Sequence, residues 1–284
     1  MLMAADSIRA QIEELQQQFV SLSASQAVNV CSYRLISGRT GRFPASYVGR
    51  VLTDFQSVLS VLYDCIKNQV PRLRAQHNAE IDRETELDFA YAFDGSLGFM
   101  LTMKPTQVEI AESVVDIAVK KLFELTRSSD SAAVAVFAKD LGVASVRGAF
   151  RWANDHAESG LGADIEWRGA SSAPQRYFVS TEQLAHFTQV VRETSEEVSE
   201  PVELYGRLVG ADVATREFHL IVDKHDIRGD MDDDFKIPAS LNLGGYYLAR
   251  MIRQTRIHFA TDKEDSRYIL KSLDERAITQ NTTD

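Results

Sequence analysis

Two arginine groups stand out among the residues whose types and spacing could do chemistry. Between Ala27 and Thr53 the chain carries Arg34, Arg39, Arg42 and Arg50 and no acidic residue. Gly38-Arg39-Thr40-Gly41-Arg42 reads as a flexible cationic loop feeding a helix N-terminus, where free N–H groups favour anions. A phosphate, a nucleic-acid backbone or an acidic partner would fit such a loop. It has neither the lysine of a phosphate loop nor a G-x-G-x-x-G pattern, so nucleotide hydrolysis is not supported. The second group is Arg250, Arg253, Arg256 and His258, just after Tyr246 and Tyr247. On a strand, Arg250, Arg256 and His258 would share one face. Cations beside stacked aromatics are how small barrels hold single-stranded nucleic acid. The nearby acids Asp262, Glu264 and Asp265 weaken that field and offer cross-strand ion pairs, which is the plainer expectation.

Other constellations fail on their own chemistry. Asp94-Gly95-Ser96-Leu97-Gly98 lacks the glycine two residues before the serine that a nucleophile elbow needs, and a strand follows instead of a helix. His219, Asp223, His225 and Asp226 are close in sequence but bring no further ligand set, so no metal is expected. Asp230, Asp232, Asp233 and Asp234 resemble the start of a calcium loop. Phe235 then stands where the sharp turn needs glycine, and Leu241 where a bidentate glutamate belongs. Cys31 and Cys65 lie in apolar surroundings and read as small buried hydrophobes. Trp152 and Trp167 read as core. No catalytic residue and no cofactor are assigned.

A third candidate is apolar. Ile8, Ile12, Leu15, Phe19 and Leu22 alternate steps of four and three, which places all five on one helical stripe. Asp6 or Ser7 would cap that helix. Two heptads are too few for a stable free coiled coil, so the stripe must pack on something. That is either the protein's own core or a second copy of the chain.

The elements that position these residues follow from period and caps. A helix is expected from about Pro44 to Val70, with Val48, Val51, Phe55, Val58, Leu62 and Ile66 inward. Leu87, Phe89, Tyr91 and Phe93 alternate, as do Leu97, Phe99, Leu101 and Met103, around Asp94-Gly95-Ser96. A three-residue loop would pair Phe93 with Leu97 and put all eight side chains on one face of a β-hairpin. Thr106-Gln107-Val108-Glu109 reads as a capping box for a helix carrying Ala111, Val115, Ala118, Leu122 and Leu125. Helical patches follow at Ser131–Leu141 and Val143–Ser159, the latter with Val146, Phe150, Ala153 and Ala157 on one side. Two short strands are expected at Ala163–Trp167 and Arg176–Val179, then a helix capped by Ser180. The polar stretch Glu193–Glu200, ending at Pro201, marks a boundary. Beyond it short alternating runs replace the helical period, with Gly245–Gln254 readable as strand or helix.

The expected fold class is α+β. A helix-dominated body with an antiparallel hairpin (residues 1–196) precedes a small β-barrel-like module (197–276) and a frayed tail (277–284). The chain has 284 residues and a net charge of −10, spread evenly over both parts. That disfavours non-specific polyanion binding by the whole surface without excluding a local patch. The N-terminus shows no basic stretch followed by an apolar run, and no segment qualifies as a membrane span. A soluble, cytoplasmic protein is expected. Its function is read as non-enzymatic binding, by self-association or a protein partner. The alternatives are nucleic-acid binding or nucleotide sensing through the arginines, and an enzyme with a dispersed site.

Overall fold

A computed structural model of the chain describes residues 2–38, 41–76, 78–93, 96–104, 113–170, 173–236, 241–261 and 263–275. The fold is mixed helix and sheet, as the α+β reading requires. It divides into two compact units, Met1–Thr194 and Ser195–Asp284. The sequence calls at Arg39, Asp94-Gly95, the Thr106–Glu109 cap, Ala111, Asp262 and the 277–284 tail lie outside the described residues.

The first unit contains α1 (Leu2–Ser25), β1 (Asn29–Ser37), α2 (Ala45–Asn68), α3 (Ala79–Thr85), β2 (Asp88–Phe93) and β3 (Leu97–Met103). It continues through α4 (Val114–Thr126), α5 (Ser131–Leu141), α6 (Val143–Ser159), β4 (Leu161–Arg168), β5 (Gln175–Val179) and α7 (Thr181–Glu193). The five strands form one antiparallel sheet in the order β2-β3-β1-β4-β5. Local chemistry explains several helix starts. Asp130 accepts from the Ala133 N–H at 2.8 Å, and Ser180 with Gln183 closes a reciprocal capping box. For α4 that box is Ser113 with Asp116. In α1 the helix already begins at Leu2, so Asp6 and Ser7 lie inside it and do not cap it.

The central strand is the one the sequence reading passed over. Cys31, Tyr33 and Leu35 alternate along β1 and are fully buried. They share a face with Ile165 and Trp167 of β4, as the register requires. Helices cover that face: Phe55 of α2 lies edge-on to Tyr33 at 5.0 Å, and Trp152 of α6 donates to the Tyr33 hydroxyl at 2.8 Å. Both cysteines are buried, as expected, and burial pushes the Cys31 thiol pKa far up. The inward face of α6 is Val146, Ala149, Trp152, Ala153 and His156. Phe150, expected inward, is instead half-buried beneath Arg192 at 5.4 Å.

The β2–β3 hairpin is present, but its eight apolar side chains do not share a face. The register shifts between Phe89, opposite Leu101, and Tyr91, opposite Met100. The extra residue, Ala90, inverts the alternation. Tyr91 and Phe93 therefore face away from α2 and α6, and Phe93 pairs with Gly98, not Leu97. The Phe93 ring lies so close to Gly98 that a Cβ there would meet it at 2.3 Å. Only glycine leaves room for the ring.

The second unit is a closed ring of β6 (Ser195–Asp212), β7 (Glu217–Val222), β8 (His225–Met231), β9 (Tyr246–His258) and β10 (Glu264–Glu275). Gly245–Gln254 is thereby settled as strand: β9 pairs with β6 from Ser195–His258 to Arg207–Tyr246, and with β10 on its other side. The stretch from Glu193 to Pro201, read as a boundary, contains the division between the units at Thr194/Ser195, and its residues from Ser195 on begin β6. Proline is tolerated there because only β9 borders that part of β6. Leu208, Phe218, Leu220, Met231, Tyr247, Ala249, Met251 and Leu270 fill the interior. The parallel pairing of β8 with β10 closes the ring, opposing Gly229 to Tyr268. A Cβ at Gly229 would lie 2.1 Å from the Tyr268 carbonyl oxygen.

Candidate interaction surfaces

Helix α1 does not bury its apolar stripe. The side chains turned toward the sheet are Gln16, Gln17, Val20 and Ser21, which line a groove of about 460 Å³ with Val30, Ser32, Met100, Glu166 and Arg168. Phe19 reaches Tyr91 edge-on at 5.3 Å. Ile12, Leu15 and Leu22 are 45%, 64% and 59% exposed. From Ser7 to Leu15 every side chain that is described is exposed. The side chain of Ile8 lies outside the described residues. The own-core expectation therefore holds only at the edge of the stripe. The reason is rotational: on a 3.6-residue helix, Gln16 and Ser23 point roughly a quarter turn, and Val20 nearly half a turn, away from the line through Leu15 and Leu22.

The basic segment at Arg34 to Arg50 is not assembled into one site. Arg34 sits on the open face of the sheet, with its guanidinium 5.4 Å from the Phe93 ring centre. Arg50 is on α2, across the sheet, where it donates to Asp155 at 2.9 Å and lies 4.3 Å from the Tyr47 ring centre. Arg42 is exposed in the loop before α2. A face the sequence reading missed lies beside Arg34. Register places Phe93, Gly98, Arg34, Asp164 and Phe178 in one cross-strand row. Arg176 forks onto Asp164 at 2.9 and 2.6 Å, and this bond holds the Asp164 carboxyl below its usual range. The alternation of Cys31, Tyr33 and Leu35 was the signal that would have revealed this face.

Most of the second basic group is paired with carboxylates in place. Arg250 bridges Glu203 at 2.9 Å and Asp274 at 2.8 Å, Arg253 is bonded to Glu200, and His258 meets Asp265 at 3.1 Å. Arg256 donates to the Ser195 hydroxyl at 3.0 Å. These are the cross-strand partners that the acids of β6 and β10 supply, and they leave little net field for a polyanion. Tyr205 and Tyr246 stack at 5.8 Å and remain 44% and 40% exposed.

The remaining polar groups serve the fold. His219 meets Asp226 at 3.0 Å across β7 and β8. Asp230 pairs with Arg267, and Asp232 with Lys271, across β8 and β10. Among the described residues no group of three or more metal-ligating side chains is placed to hold an ion. A cleft of about 820 Å³ beside α2 and α3 is lined by apolar side chains such as Val61, Ile81 and Leu87 together with polar groups, including the Asp64–Arg72 pair at 2.9 Å. Trp152 and Trp167 are fully buried, and Trp167 donates to Asp116 at 2.6 Å. Among the described residues no helix is long and apolar enough to cross a membrane. Comparison with protein-family models, curated proteins and solved structures finds no match to this chain.

Proposed function

We propose that this chain is a non-enzymatic interaction protein that associates, with itself or with a protein partner, through α1. The observation that carries this reading is the exposure of Ile12, Leu15 and Leu22 on one stripe of a helix that turns Gln16, Val20 and Ser23, not this stripe, toward the sheet. Aligned apolar side chains exposed along a helix mark an interaction face, unlike single scattered ones. The arginine surfaces support the nucleic-acid alternative less well, since Arg250, Arg253 and Arg176 already hold carboxylates. The test is affinity purification from the native host and light scattering, with wild type beside the triple variant Ile12→Ser, Leu15→Ser, Leu22→Ser. Loss of association in a variant with unchanged near-UV circular dichroism is expected. Association that survives the three substitutions refutes the reading.

A further inference from the structure

We propose that the occupant of the α1 stripe is a second copy of this chain, its α1 packed parallel and in register as a short two-stranded coil. This rests on the interaction reading above and names the partner. Three observations carry it. First, the stripe repeats with the coiled-coil period: Ile8, Leu15 and Leu22 are each seven residues apart, with Ile12 and Phe19 at the alternate positions between them. In the heptad notation Ile12 and Phe19 take a, and Ile8, Leu15 and Leu22 take d. A β-branched residue at a with leucine at d favours two parallel strands.

Second, the exposed flank suits a self-pairing. Gln11 and Gln18 take g and are exposed, Arg9, Gln16 and Ser23 take e, where Gln16 lines the groove against the chain's own sheet and Ser23 is buried, and the acids Glu13 and Glu14 fall at b and c, away from the seam. On the exposed flank, Gln11 and Gln18 carry no charge, so two identical copies set no like charges against each other there. Third, the helix needs cover. Its first half is exposed on all described sides, and a helical stretch of only about a dozen residues without tertiary packing is marginal in water. A few apolar side chains per copy fall short of the roughly 800 Å² per partner of a standard interface. The dimer is therefore weak and concentration-dependent.

The test uses the full chain with single cysteines. Cys31 and Cys65 are buried, so an introduced thiol on α1 is the reactive one. Leu15→Cys and Leu22→Cys should each give a disulfide-linked dimer under mild oxidation, and Glu14→Cys, pointing away from the seam, should not. Light scattering on the wild type should show the mass rising from one chain toward two with concentration. Cross-linking at only one of the two d positions would mean an antiparallel crossing and overturns the proposed register. A wild type that stays monomeric while a different protein is retained by wild type, and lost from the triple serine variant, overturns the second copy but leaves the α1 reading standing. A dimer that persists in the triple serine variant sinks both.

Discussion

Lowering the pH should unfold the first unit through one buried histidine. His156 is fully buried; its Nε2 lies 2.7 Å from the Tyr33 hydroxyl and its Nδ1 2.9 Å from the Leu161 carbonyl oxygen. The proton positions follow from the partners. Trp152 can only donate, so the Tyr33 oxygen accepts from it at 2.8 Å and the Tyr33 hydrogen goes to His156 Nε2. The Leu161 carbonyl can only accept, so the ring proton sits on Nδ1. Every group is satisfied with the imidazole neutral, and a second ring proton would point at the Tyr33 hydrogen. Burial accordingly lowers the His156 pKa from 6.5 to about 4. The unfolded chain takes up this proton as pH falls through 6.5, whereas the folded chain does so only near 4. Stability is thus unaffected above 6.5 and is lost progressively between 6.5 and 4. At about 1.4 kcal/mol per pH unit this amounts to roughly 3 kcal/mol. The assay is urea unfolding followed by tryptophan fluorescence from pH 8 to 4. Both tryptophans, Trp152 and Trp167, lie in the first unit, so the signal reports that unit alone. His156→Gln keeps an acceptor for Tyr33 without titrating, and serves to subtract the carboxylates. At pH 7 the variant should be less stable by about 1 kcal/mol, for the lost bond to Leu161. Toward pH 4 the order should reverse. Parallel profiles for the two proteins across this window would refute the reasoning.

Two backbone contacts give further tests. Gly98→Ala should cost about 1–3 kcal/mol by evicting the Phe93 ring, and in the Phe93→Ala background most of that cost should vanish, as a double-mutant cycle of urea midpoints would read. Gly229→Ala should cost roughly 3 kcal/mol or more, because the obstructing atom is the Tyr268 carbonyl oxygen and not a side chain that can swing away. Loss of hydrogen-exchange protection along β8 and β10, with β6 and β9 still protected, is the expected signature.

Much of the architecture was legible in the sequence because the signals are local. Ser180 caps its helix by a bond to the N–H three residues on. The inward faces of α2, α4 and α7 recur at helical spacing, so Phe55, Leu122 and Phe187 could be assigned without knowing what they would touch. The alternation around Leu208, Phe218 and Leu220 likewise marked strands. What tertiary structure alone decided is which partner each periodic face meets. Ala90 shifts a register that alternation had set, because the bulge depends on the pairing with β3. Tyr246–His258 is a strand because β6 and β10 offer their edges on both sides, which outweighs its weak helical stripe. Cross-strand ion pairs were the plainer expectation for Arg250 and Arg253, but only the pairing of β9 with β6 and β10 decided that their partners are Glu203, Asp274 and Glu200. The stripe on α1 was evident from spacing, but its exposure was not. Amphipathicity says that a helix needs a partner, and only the packing of Gln16 and Val20 on the sheet shows that Leu15 and Leu22 have not found theirs within the chain.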